Sequence, residues 1–71
     1  RALCEALRRE CLRLAKEQAV PPYVVFPGPT LRAMVERRPR SESDLRRVPG
    51  VGQAKLERYG DTFLAVIRDL G

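Results

Sequence analysis

Histidine and tryptophan are absent from this chain, and cysteine occurs only twice in its 71 residues. Without imidazole there is no side chain whose ordinary pKa suits proton transfer near neutral pH. Two thiols cannot assemble a closed nitrogen and sulfur metal site either. Cys4 and Cys11 are seven residues apart in a segment of helical pattern, which separates their α-carbons by roughly 10 Å. A disulfide needs less than about 7 Å, so both thiols are expected to be free and packed as small core residues. There is no run of about 18 apolar residues and no apolar leader with a small-residue cleavage site, so no membrane contact is expected and the protein reads as intracellular, cytoplasmic or nucleoid-associated. Nor is there a phosphate loop ending in Gly-Lys-Ser or Gly-Lys-Thr, or a serine nucleophile elbow. The acids Glu36, Asp44, Glu57 and Asp61 are scattered among arginines and capping positions. Catalytic residues, a metal, a cofactor and a small-molecule substrate are therefore not expected.

What the chain does have is positive charge. Fourteen lysines and arginines face nine acids, a net charge of +5 with a pI near 10.0, and such a balance favours a polyanionic partner such as nucleic acid. The length allows one domain with a thin core, because chains of this size bury only about 60% of the surface their unfolded form exposes. The opening at Arg1, without an initiator methionine, and the end at Gly71 point to a single domain, residues 1–71, excised from a longer polypeptide.

Leu3, Cys4, Leu7, Cys11, Leu14, Ala15 and Gln18 recur at helical spacing and predict an amphipathic helix over residues 2–19. Leu12 falls off this stripe, and Glu5, Arg8, Arg9, Glu10, Arg13, Lys16 and Glu17 form a solvated face of mixed charge. Pro21 and Pro22 end the helix. Tyr23-Val24-Val25-Phe26 has strand propensity, but nothing else in the chain offers it a partner. It is expected to be an extended or short 3₁₀ connection that plugs the core. A second helix is expected from 29 or 30 to 38, with Leu31, Met34 and Val35 inward. A third is expected over 41–48, with Ser41 capping and Asp44 reaching back. A fourth carries Ala54, Lys55, Leu56, Arg58 and Tyr59 and stops at Gly60, and a fifth starts with Asp61 as cap and carries Phe63, Leu64, Val66, Ile67 and Leu70. Short helices without strand partners predict an all-α, compact orthogonal bundle of five or six members.

Three features are candidates for binding. Leu45-x-x-Val48-Pro49-Gly50-Val51-Gly52-x-x-Lys55 joins two helices by a glycine-rich hairpin. Gly50 and Gly52 permit positive φ and close approach, and outward amides at the next helix start can hold a phosphate, with Lys55 and Arg58 adding charge. The alternative is a turn that merely needs glycine. Tyr23, among prolines, is either a stacking platform for unpaired bases or a ring packed into the bundle with its hydroxyl wet. Arg32, Arg37, Arg38, Arg40, Arg46 and Arg47 are concentrated in one stretch. They form either a basic surface or a solvated face, and those ending the second helix also complement its dipole. Phe26 and Phe63 are expected in the core.

The run Val20-Pro21-Pro22-Tyr23-Val24-Val25-Phe26, with Leu7-Arg8 before it and Thr30-Leu31 after it, is followed by Val48-Pro49-Gly50-Val51-Gly52 and Lys55-Leu56-Glu57-Arg58-Tyr59-Gly60 with Phe63. In this order the runs resemble the HRDC domain, the helicase-and-RNase-D C-terminal module, over nearly the whole chain, and the second run is most similar to the RecQ-type version. The resemblance implies a helical bundle of five or six members, auxiliary to a helicase motor in the same polypeptide, that engages single-stranded or junction DNA weakly. It implies that Tyr23 matches the aromatic of the family's binding surface and that Lys55 and Arg58 match basic positions near the hairpin. The competing expectation is a regulatory module that docks on the helicase core or on a partner protein through the polar third helix.

Overall fold

Leucine, cysteine and alanine at 3, 7, 11 and 15 put one buried residue on each turn of the first helix. In the computed structural model, which describes residues 2–70, this helix is α1, Ala2–Gln18. The two chain ends assigned to the domain from sequence, Arg1 and Gly71, lie outside the described residues. α1 ends in a Schellman arrangement: Ala19 turns left-handed (φ 57), its N–H donates to Lys16 O at 3.3 Å, and the N–H of Val20 donates to Ala15 O at 3.0 Å.

The segment expected to be an extended or short 3₁₀ connection is a single α-helical turn, α2, Pro22–Val25. Pro22 sits at the helix start, where its missing N–H costs nothing, and Phe26 N–H closes the turn onto Pro22 O at 3.4 Å. The expectation that this run plugs the core holds for Val25 and Phe26, which are buried, while Tyr23 and Val24 face solvent. α3 spans Gly28–Arg37, with Pro29 in its first turn, and ends at Arg38, which adopts φ 47 and donates its N–H to Met34 O. α4 is Glu42–Arg46, capped by Ser41 Oγ accepting from Asp44 N–H at 3.1 Å.

α5 runs without interruption over Gln53–Leu70. The stop expected at Gly60 and the cap expected at Asp61 are both absent. Gly60 is a buried helical residue, and a Cβ there would lie 3.0 Å from Leu56 Cδ1 and 3.9 Å from Leu45 Cδ2. A Cβ at 60 would crowd Leu56 of the same helix and make only ordinary contact with Leu45 of α4. Among the described residues the count of five helices survives because α2 was gained where the break in α5 was lost. Among the described residues there is no strand.

α1 packs against α2, α3 and α5, and α4 packs against α5. At the centre, Phe26 meets Phe63 edge-on with ring centroids 5.0 Å apart, and Tyr59 at 6.0 Å. Tyr59 is buried, and its hydroxyl donates to Gln18 Oε1 at 2.9 Å, which ties α5 to the end of α1. Leu7, Met34, Leu45 and Ile67 complete the fully enclosed core. Cys11 is in that core, whereas Cys4, expected there too, is only half-buried, and both thiols are free. Burial pushes the Cys11 thiol above its ordinary pKa, against a hydrogen bond with the Phe26 backbone and the nearby charge of Lys55. No described helix is long and apolar enough to cross a membrane.

Candidate nucleic-acid interface

Three of the four aromatic rings are buried together, and the fourth, Tyr23, is 68% exposed. The reason is local. In a four-residue helix that turns Val25 inward and leads into Phe26, Tyr23 falls on the outer side. Its ring helps wall a depression with Arg8, Leu12, Pro22, Phe26 and Leu31.

Lys55 reaches α2 from α5. Its Nζ donates to Val24 O at 2.5 Å and Val25 O at 2.8 Å, and stands 5.5 Å from the centre of the Phe26 ring. The ammonium therefore satisfies carbonyls at the end of α2, where positive charge is favourable, and this structural task uses two of its three donors. Arg58, one turn further along α5, is exposed, with its guanidinium 5.6 Å from the Tyr59 ring centre. Tyr23 and Lys55 thus share the α2 neighbourhood.

The hairpin glycines differ from each other. Gly50 adopts φ +92 and packs against Thr30: a Cβ at 50 would lie 2.1 Å from Thr30 Oγ1 and 3.2 Å from its Cβ. It has a packing reason that involves no ligand. Gly52 has no positive φ and open space around it, and its carbonyl accepts the first bond of α5, from Leu56 N–H at 2.9 Å.

Arg32 is exposed on α3. Arg37, at the far end of that helix, donates to Arg47 O at 3.4 Å and so braces α3 on the α4–α5 connection rather than on α2. Arg38 is the left-handed residue that closes α3. Arg46 donates to Gln53 Oε1 at 3.0 Å, and Gln53 in turn to Glu57 at 2.9 Å. Arg68 holds Arg40 O through two bonds of 3.2 and 2.8 Å. Within this concentration, Arg37 and Arg46 therefore spend their guanidinium groups on bonds that brace the fold.

By sequence, Arg8 and Lys16 belong to a solvated face and Leu12 falls off the apolar stripe. Leu12 is 56% exposed and lines the Tyr23 depression together with Arg8. On its other side Leu12 lines a second depression with Lys16, Val20 and Pro22. The spacing of four between these residues was the available signal, because it stacks them on one side of a helix. On the same helix Arg13 is held by Glu10 at 2.7 Å and Glu17 at 3.0 Å.

These features define a small helical module with an exposed aromatic next to basic residues. The HRDC domain family model matches residues 1–67, and the chain belongs to that family. The curated relatives that share this domain are ATP-dependent DNA helicases. The chain is 41% identical over 66 residues to the ATP-dependent DNA helicase RecQ of Bacillus subtilis, covering 93% of this chain and 11% of that protein. It is 47% identical over 57 residues to the ATP-dependent DNA helicase UvrD2 of Mycobacterium tuberculosis, covering 80% of this chain and 8% of that protein. The chain thus spans about a tenth of the length of these curated relatives. Among solved structures, HRDC domain 3 of D. radiodurans RecQ superposes with a TM-score of 0.92 at 40% identity, covering 96% of this chain and 90% of that one.

Proposed function

We propose that this domain is a weak nucleic-acid-binding accessory of a RecQ-type DNA helicase, which engages single-stranded or junction DNA and tunes the substrate choice of the motor. The observation that carries the reading is the exposure of Tyr23. A large aromatic is left in water beside cations while every other ring is enclosed, which is the arrangement that stacking on unpaired bases uses. The net charge of +5 supports a polyanionic ligand. The alignment to B. subtilis RecQ covers more of the chain than that to UvrD2, which supports the RecQ type. Arg58 and Arg32 are the exposed cations of the original set without a bracing bond, while Lys55, Gly50, Arg37 and Arg38 also serve the fold.

Fluorescence anisotropy on labelled single-stranded and junction oligonucleotides tests this. With about three phosphates neutralised, affinity falls roughly tenfold or somewhat more between about 50 and 200 mM salt, and Tyr23→Ala weakens binding further. Binding indifferent to both changes would refute it. A second reading is favoured by the α4 surface, where Glu42, Ser43, Arg46, Arg47 and Gln53 line a polar concavity: docking on the helicase core or on a partner protein. Crosslinking to the helicase core at low salt, with no measurable DNA binding by the domain, supports that second reading.

A further inference from the structure

Arg8, Leu12 and Lys16 follow one another at intervals of four along α1, alternating cation, apolar residue and cation on a single side of the helix. Across from them lies α2, and the trough between the helices is divided in two. Leu12 and Pro22 line both halves and so stand between them. One half is walled by Tyr23, Phe26 and Leu31 with Arg8 at its rim, the other by Ala15 and Val20 with Lys16 at its rim. The floor is largely apolar, although Leu12, Tyr23 and Val24 lie at the surface.

The charges of the rim are not cancelled. Glu10 and Glu17, the acids of this stretch of α1, are both bound to Arg13, whose guanidinium is held protonated more firmly by them, Glu10 first. Arg8 and Lys16 form no ion pair among the described residues. Eight helical residues separate them by roughly 12 Å along the axis, comparable with two steps of an extended strand.

We infer that the α1–α2 trough seats two consecutive bases of a single strand, one on each side of Leu12 and Pro22, with Tyr23 as the stacking wall of the first seat and Arg8 and Lys16 meeting the flanking phosphates. The inference rests on the nucleic-acid reading above. It adds three residues and a direction to it, with the strand running along α1. A helical peptide needs a continuous apolar furrow for its i, i+3 and i+4 side chains. A trough split by a ridge, with a cation at each end, fits the alternation of base and phosphate instead.

The experiment compares an oligothymidylate with an abasic sugar–phosphate oligomer of equal length, using this chain and its Leu12→Ala, Arg8→Gln and Lys16→Gln variants. All three side chains are exposed, and unfolding curves establish that each variant folds. Leu12→Ala is expected to weaken the oligothymidylate about five- to tenfold, within the range of a lost base contact, and to leave the salt slope unchanged. The abasic oligomer should bind more weakly and ignore Leu12→Ala. Each cation variant should lower the salt slope by about 0.7. If Tyr23→Ala weakens binding while the Leu12 and Arg8 variants bind like the parent, the seat is overturned and the Tyr23 reading stands. If no oligonucleotide binds, both fall. If α1 amide signals move with an acidic helical peptide but not with the oligothymidylate, the trough belongs to a protein partner and the seat is again overturned.

Discussion

Gly50→Ala separates a glycine kept for packing from one kept for phosphate approach. The native φ of +92 is a conformation that a residue with a Cβ rarely adopts, and holding one there costs on the order of 1–3 kcal/mol. The added methyl would also fall 2.1 Å from Thr30 Oγ1, 3.2 Å from Thr30 Cβ and 3.3 Å from Thr30 Cγ2. Rotating the threonine does not clear it, because every side-chain atom of Thr30 is involved and the residue is buried at 4% exposure. Relieving the clash means shifting the α4–α5 connection against α3, at about 1–3 kcal/mol for overpacking. The sum is roughly 2–6 kcal/mol, a large share of the roughly 4–10 kcal/mol expected for 71 residues. Urea unfolding followed by circular dichroism should show the midpoint falling with the slope unchanged, and the melting temperature should drop by about 4–8 °C for each kcal/mol lost. Thr30→Ala in the same chain should recover the part due to Oγ1 and Cγ2 but not the backbone part, a coupling readable from a double-mutant cycle. An alanine variant as stable as the parent, with reduced DNA binding, would refute the packing argument and return Gly50 to the ligand.

Phe26→Ala should be the most damaging core change, costing about 3–5 kcal/mol, since that ring contacts Tyr59, Phe63 and the Lys55 ammonium; chemical denaturation measures it, and a loss under 1 kcal/mol would contradict the described core. Ser41→Ala removes the hydroxyl that accepts from Asp44 N–H and should cost about 1 kcal/mol, with faster amide exchange confined to α4. The Cys11 thiol, raised by burial from its ordinary 9.0, keeps its proton in the folded state where the unfolded chain has lost it. Its contribution to stability is therefore complete below about pH 9 and declines as pH rises through the folded value; Cys11→Ala should flatten that decline in melts across the alkaline range. In native protein an alkylating reagent should modify half-buried Cys4 well before Cys11, which mass spectrometry resolves.

The elements that could be read locally were those whose signals are local. The α1 stripe, the proline break after it, the Ser41 cap and the left-handed glycine at 50 each depend on residues within a turn or two of one another. Gly60 misled because glycine near a helical run is usually a terminator. The better signal was the periodicity itself: Leu56, Tyr59, Gly60, Phe63, Leu64 and Ile67 keep one inward face throughout α5, and a stop there would have broken it. The Val-Val-Phe run misled in the opposite direction, its strand propensity giving way to a helical turn that delivers Val25 and Phe26 to the core.

Composition and order of residues alone determined an all-α domain, its positive charge, its inability to form a disulfide and its likeness to the HRDC domain, because these follow from counts, spacings and short-range backbone preferences. Only the tertiary structure decided what each cation is for. Lys55 turns to the carbonyls of α2 and Arg37 to the α4–α5 connection, while Arg8 and Lys16 keep their charge for solvent beside a half-exposed leucine. A long side chain can reach whatever polar group the packing brings near it, and partners 30 or 31 positions away along the chain leave no mark in local sequence.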